Sequence, residues 1–153
     1  MDVQRREFVK VGGALGVMVA AGLLTAEEVR AQAARNKAFE GKTVEETVQL
    51  LGATTLAPST EITITAPDIA ENGAVVPVAV ASKIPNTQAL YILVEKNLNQ
   101  LAAGFTIPAG TEPSVSTRVK MAQTSNVHAI VKADNKYFVA TKEIKVTLGG
   151  CGG

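Results

Sequence analysis

From Glu61 to Leu148 one pattern repeats: short runs in which apolar residues alternate with polar ones or follow each other directly, each broken by Pro, Gly, Asn or Asp. A period of two places every second side chain on one face, so this stretch is constrained to strands layered around an apolar interior. Glu61-Ile62-Thr63-Ile64-Thr65 alternates and Pro67 ends it; Glu71-Asn72-Gly73 supplies a turn before the run Val75 to Val80. Pro77 cannot donate to a ladder, which predicts an edge or a bulge for its strand. Ala89 to Val94 is almost continuously apolar and predicts a central strand. A polar loop, Asn97 to Gln100, leads to a strand over Ala103 to Ile107. After a long turn, Pro108 to Pro113, the residues Val115, Thr117, Val119 and Met121 alternate with Ser116, Arg118 and Lys120, a strand with one wet face. Val127 to Lys132 and Tyr137 to Thr141 flank Asp134-Asn135-Lys136, the signature of a tight hairpin, and Glu143 to Leu148 forms the last strand. About seven or eight strands at this spacing predict a mainly β fold, an immunoglobulin-like antiparallel β-sandwich.

The residues before the strands read differently. Thr43-Val44-Glu45-Glu46 is a capping box, and Val44, Val48 and Leu51 then recur at i, i+4 and i+7 before Gly52. One short N-terminal helix is predicted there, with Asn36 to Glu40 as a loose lead-in. At the start of the chain, Gln4-Arg5-Arg6-Glu7-Phe8-Val9-Lys10 and the apolar run Val11 to Leu24 resemble a twin-arginine export signal. That run is shorter than the roughly 20 residues a spanning helix needs, and Gly12, Gly13, Gly16 and Gly22 interrupt it. A permanent membrane anchor is therefore not expected, and a periplasmic location is. Thr25 to Arg30 is polar and helix-compatible, and Ala31-Gln32-Ala33 has the small-x-small form of a signal-peptidase site. The expected organisation is a signal over 1–33, a β-sandwich domain with its N-terminal helix over 34–148 and a tail over 149–153. Twin-arginine export moves folded proteins, so either this chain folds too fast to be threaded or it assembles in the cytoplasm first, in which case a partner without a signal of its own could travel bound to it.

Composition narrows the function. The 120 residues after the expected cleavage hold 11 Lys plus Arg and 10 Asp plus Glu, a net charge of +1. This balance lacks the basic excess by which nucleic-acid binders displace counterions. Aromatic residues are 4% with no Trp, so no stacking platform for bases or sugars is expected. His128, the single histidine, has no second His or Cys at ligand spacing, so no metal and no cofactor is expected and the residue reads as structural. Glu95-Lys96-Asn97 reads as a solvated turn.

The tail carries the one reactive group. Cys151, the only cysteine, lies between Gly149-Gly150 and Gly152-Gly153. Glycines do not pack a core and are costly to order, so a narrow, flexible tether is expected, able to carry the sulfur about 10 Å past the domain. No neighbouring His or Lys is present to lower the thiol pKa from about 8.5. Such a thiol suits being acted upon by a partner's pocket. The alternatives are a terminus with an incidental cysteine and a conjugation linker.

The export signal, the β-rich body and the terminal Gly-Gly-Cys-Gly-Gly together resemble the SoxY family of the periplasmic Sox thiosulfate-oxidation system. The similarity extends to Ile69 to Val78, to Val115 to Gln123, and to Ala140 to Leu148 leading into the tail, over roughly residues 60 to 153. Asn97-Leu98-Asn99-Gln100 departs from the more proline-containing loop of the family. The resemblance implies a substrate carrier and no enzyme. It implies that thiosulfate is conjugated oxidatively to Cys151 by a c-type cytochrome, and that the product is hydrolysed to sulfate by a sulfate thiohydrolase. A sulfane dehydrogenase would oxidise the remaining sulfur further. It also implies a stable heterodimer with SoxZ, a small β-sandwich subunit. Gly149, Gly150, Gly152 and Gly153 would be the tether.

Two other readings fit parts of the chain. A ubiquitin-like sulfur carrier also ends in Gly-Gly, but it needs a β-grasp fold and cytoplasmic adenylation. An exported structural module whose Cys151 forms an intermolecular disulfide fits the tail as well. Prenylation is excluded by position, since Cys151 is third from the end and the motif requires the fourth.

Overall fold

The computed structural model describes residues 25–147, and the chain divides into two compact units, Met1–Ala34 and Arg35–Gly153. The described residues hold two helices, α1 (Ala26–Ala38) and α2 (Val44–Leu50). They also hold nine strands: β1 (Ala57–Pro58), β2 (Ile62–Thr65), β3 (Ile69–Ala70), β4 (Val76–Ser82), β5 (Thr87–Val94), β6 (Leu101–Thr106), β7 (Ser114–Val119), β8 (Ser125–Ala133) and β9 (Lys136–Val146). The fold is the expected β-sandwich. The stretch expected to be an export signal, residues 1–33, lies outside the described residues up to residue 24.

Strand pairing follows the alternation. One sheet runs β1-β9-β8-β5-β6, with β3 also paired to β9; the other runs β2-β4-β7. All pairs are antiparallel except β1 and β3, two-residue strands that lie parallel to β9 near its two ends. Leu90, Ile92 and Val94 of β5, Val127 and Val131 of β8 and Ile144 of β9 meet Val76, Val78 and Val80 of β4 in one core. Each of these is fully buried, and full burial of such a side chain stabilises the fold by about 1.5–3 kcal/mol. The opposite face of β5 and β8 holds Tyr91, Leu93 and Ile130, and α2 and the α1 end cover it with Ala38, Val48 and Leu51. Gly104 stands opposite Tyr91 in β6, where a Cβ would lie 3.0 Å from the ring. The ring needs that space.

The helices begin on capping boxes. At α2 the Thr43 hydroxyl accepts the Glu46 amide at 3.0 Å, while the Glu46 carboxylate takes the Lys42 amide at 2.9 Å. Gly52, at φ +91°, ends it in a conformation that disfavours any side chain. The predicted lead-in over Asn36 to Glu40 is instead partly helix, because α1 starts at a second box. There the Thr25 hydroxyl accepts the Glu28 amide and the Glu28 carboxylate accepts the Thr25 amide at 2.7 Å. The Arg35 guanidinium then donates to the Thr106 hydroxyl on β6.

Two strand expectations change. β4 is the middle strand of its sheet, but β2 pairs only with Ala79–Ser82, so at Pro77 it has a single neighbour, β7. The proline is tolerated where pairing is one-sided. The two predicted strands after the hairpin are one, β9, eleven residues long. Lys142 looks like a break in the sequence. It pairs with Val127 and so lies on the core-facing side, from which its ammonium reaches the Ala66 carbonyl at 2.6 Å and Asp68 at 3.0 Å. Its aliphatic stem keeps the strand's packing while the charge leaves the core.

Candidate functional site

Cys151 and its glycines, with Leu148 before them, lie outside the described residues. The structure gives the ground they spring from, the end of β9. β8 pairs with β9 as far as Ser125 opposite Ile144. Beyond that point the Val146 amide donates to the Thr124 hydroxyl at 3.0 Å. On the other side the Lys145 amide donates to the Asp68 carbonyl at 2.9 Å and the Thr147 amide to the Ala70 carbonyl at 3.1 Å. The root is therefore bonded on both sides to its last described residue. Ile144 is fully buried beneath it, and Ile69, on the adjoining β3, is 58% exposed.

His128 lies on the outer face of the large sheet. Its Nδ1 is 2.9 Å from the Thr141 hydroxyl and its Nε2 is 3.2 Å from the Glu95 carboxylate. The Asn126 amide also donates to Glu95 at 2.9 Å. This hydrogen bond first, and His128 second, hold the Glu95 carboxyl below its usual range. The turn read as solvated thus contributes a carboxylate to a hydrogen-bonded cluster with Asn126 and His128. Glu95 and His128 stand 33 positions apart in the chain, and no local spacing signals their contact.

Distance separates this pair from the root of the tail. His128 is opposite Thr141, six residues before Thr147, which is about 20 Å at 3.3 Å per strand residue. A cleft of about 410 Å³ beside Glu95 and His128, lined also by Thr43, Lys96 and Gln100, stands back from that root by a similar distance. A larger one, about 620 Å³, lies among Ile84, Asn86, Pro108 and Asp134 at the hairpin end of β9. That is ten strand residues, about 33 Å, from the root. Among the described residues no group of three His, Cys, Asp or Glu is arranged to hold a metal.

The family model described as "Sulfur oxidation protein SoxY" matches residues 47–151, from inside α2 through Cys151. The chain belongs to the SoxY family. Among solved structures it is similar to the sulfur carrier protein SoxY from Chlorobium limicola f thiosulfatophilum. The identity is 38% and the TM-score 0.62, over 68% of this chain and 94% of that one. A structure of the bacterial superantigen toxic shock syndrome toxin-1 matches at 11% identity and a TM-score of 0.40, over 56% of this chain and 99% of that one. That likeness carries no argument. A comparison with curated proteins finds no match.

The family match answers the resemblance drawn from the sequence and covers the same blocks. Sequence reasoning missed the side chains that fasten the root, Thr124, Asp68 and Lys142. A threonine before a strand and a lysine within one have no signature of their own; their roles exist only once β3 and β9 are side by side.

Proposed function

We propose that this chain is the sulfur carrier of a thiosulfate-oxidising Sox system, holding its substrate covalently on Cys151 and catalysing nothing itself. The observation that carries the reading is the family match running through Cys151, the only thiol in the chain. The carrier chemistry balances with partners of known chemical class. The Cys151 sulfur and the outer sulfur of thiosulfate form a disulfide bond; the thiol proton is released and two electrons pass to a c-type cytochrome. Water then attacks the terminal sulfonate sulfur, the bond between the two thiosulfate sulfurs breaks, and sulfate leaves with a persulfide left on Cys151. A sulfane dehydrogenase oxidises that persulfide further. The absence of a local activating residue in the tail is consistent with a thiol that is switched on inside each partner's site.

In this reading residues 1–33 are a twin-arginine signal, the mature protein is periplasmic, and a SoxZ-like β-sandwich subunit is its stable partner. The tether is Gly149, Gly150, Gly152 and Gly153. Among the described residues no helix is long and apolar enough to cross a membrane.

Intact mass without reductant, on protein isolated from cells exposed to thiosulfate, tests the proposal. Reducible sulfur-containing adducts confined to Cys151, and absent from Cys151→Ser, are expected. A bare thiol or a simple disulfide dimer, with thiosulfate oxidation unaffected by Cys151→Ser, would instead identify a structural module.

A further inference from the structure

The last residues of β9 are held by a different set of partners from the rest of the strand. From Lys136 to Ile144 one side of β9 is an ordinary ladder with β8. At Val146 the ladder has ended and a side chain replaces it, the Thr124 hydroxyl accepting the amide at 3.0 Å. The opposite side is occupied by the short segment Asp68–Ala70, whose carbonyls accept the Lys145 and Thr147 amides. That segment is itself pinned, because the Lys142 ammonium binds the Ala66 carbonyl at 2.6 Å and the Asp68 carboxylate at 3.0 Å. The Thr147 hydroxyl adds a long contact to the Glu71 carbonyl at 3.4 Å. Without these groups the strand would have no partner past Ile144.

We infer that Thr124 and Lys142 are positioning residues that fix the point at which the cysteine-bearing tail leaves the domain. The inference rests on the carrier function proposed above and adds a requirement to it. With the root closed at Thr147, four residues separate the last described bonded position from Cys151. With the root opened back to Ile144, seven do. The effective concentration of a tethered group falls roughly as the −3/2 power of tether length, so the longer tether presents the thiol to a docked partner site about twofold less often. Docking through the folded body is untouched by this effect. The device therefore acts on the rate within the docked complex and leaves the affinity alone.

Thr124→Val keeps the shape and removes the hydroxyl, whereas Thr124→Ser keeps the hydroxyl. Hydrogen exchange at the Val146 amide reads the root directly, independently of function. Loss of one hydrogen bond predicts exchange about five- to tenfold faster in Thr124→Val and near normal in Thr124→Ser. Lys142→Met, which keeps the stem, is expected to speed exchange at the Thr147 amide on the other side. In steady-state conjugation of thiosulfate by the cytochrome partner, Thr124→Val should lower kcat about two- to threefold with KM unchanged, and Thr124→Ser should restore it. The rate of Cys151 with a small disulfide reagent should not change. Unaltered exchange at Val146 would overturn the inference, as would faster exchange with full kcat, or an equal loss of kcat in the serine variant. If Cys151→Ser turns over normally in the same assay, the carrier reading fails, and the exchange data still report on the root.

Discussion

The two ends of β9 are closed in opposite ways. At its start the closure is local: Asp134 and Asn135, at φ +48° and +60°, form a two-residue turn, with Ala133 opposite Lys136. Positive φ at both central positions is the geometry whose twist matches that of paired strands, and Asn and Asp tolerate it. At its end the closure is assembled from distant residues, Thr124 on one side and Asp68 to Ala70 on the other. One end is therefore made by residues that touch in sequence, and the other exists only after the sandwich has formed. A strand end held on both sides without a turn needs the second kind of closure, since a turn would send the chain back into the sheet.

The largest test of this contrast asks whether the root half of β9 belongs to the same cooperative unit as the hairpin half. Ile144 is fully buried near the root, and Ile144→Ala should cost about 2–5 kcal/mol in denaturant unfolding through lost burial and the cavity left behind. A loss under about 1 kcal/mol would mean that the root frays independently of the core. At the hairpin end, the Tyr137 hydroxyl donates to the Leu51 carbonyl at 2.6 Å and ties β9 to the end of α2. Tyr137→Phe leaves that carbonyl without its partner, and a cost of about 1–2 kcal/mol is expected, with Val146 exchange unchanged. Faster exchange at Val146 in this variant would show that the two ends are coupled.

The smallest effect lies between them, at the Glu95–His128 pair. The Glu95 carboxyl titrates below its usual value of 4.5 in the folded protein, so the folded state binds fewer protons than the unfolded one just below that pH. Its contribution is fully present above the ordinary carboxylate range and is lost as the pH falls through the lowered value. The side chain is 41% exposed, and solvent screening limits the effect to less than about 1 kcal/mol. Glu95→Gln should flatten the acid limb of a stability–pH curve slightly. An unchanged limb would show that the carboxylate gains nothing from Asn126 and His128.

What was legible in the sequence divides along the same line. Alternation gave the sandwich, the hairpin at Asp134-Asn135 followed from its residues, and the Thr43 capping box marked α2, because each is a local rule. The run Ala89 to Val94 declared itself buried on both faces through its lack of polar positions, and β5 does have partners on both sides. Lys142 hid the continuity of β9, since its charge reads as outward while its position is inward. β1 and β3, two residues each, are too short for any period to show. Pro77 signalled one-sided pairing correctly but could not reveal that the one-sidedness was local. The groups that fasten the end of β9, Thr124 and Lys142, had no such local signal.

The two shortest strands have a consequence beyond fastening. β9 is the eleven-residue strand that would otherwise close the large sheet with one side open, a row of unpaired amides and carbonyls on which a second copy of the chain could add its own β9. β1 occupies that side at Phe138 and Val139 and β3 occupies it at Lys145 and Val146, which leaves only 140–144 between them. A second copy's strand would find only this short stretch to pair with, so two dipeptide strands blunt the edge of the sheet's longest strand.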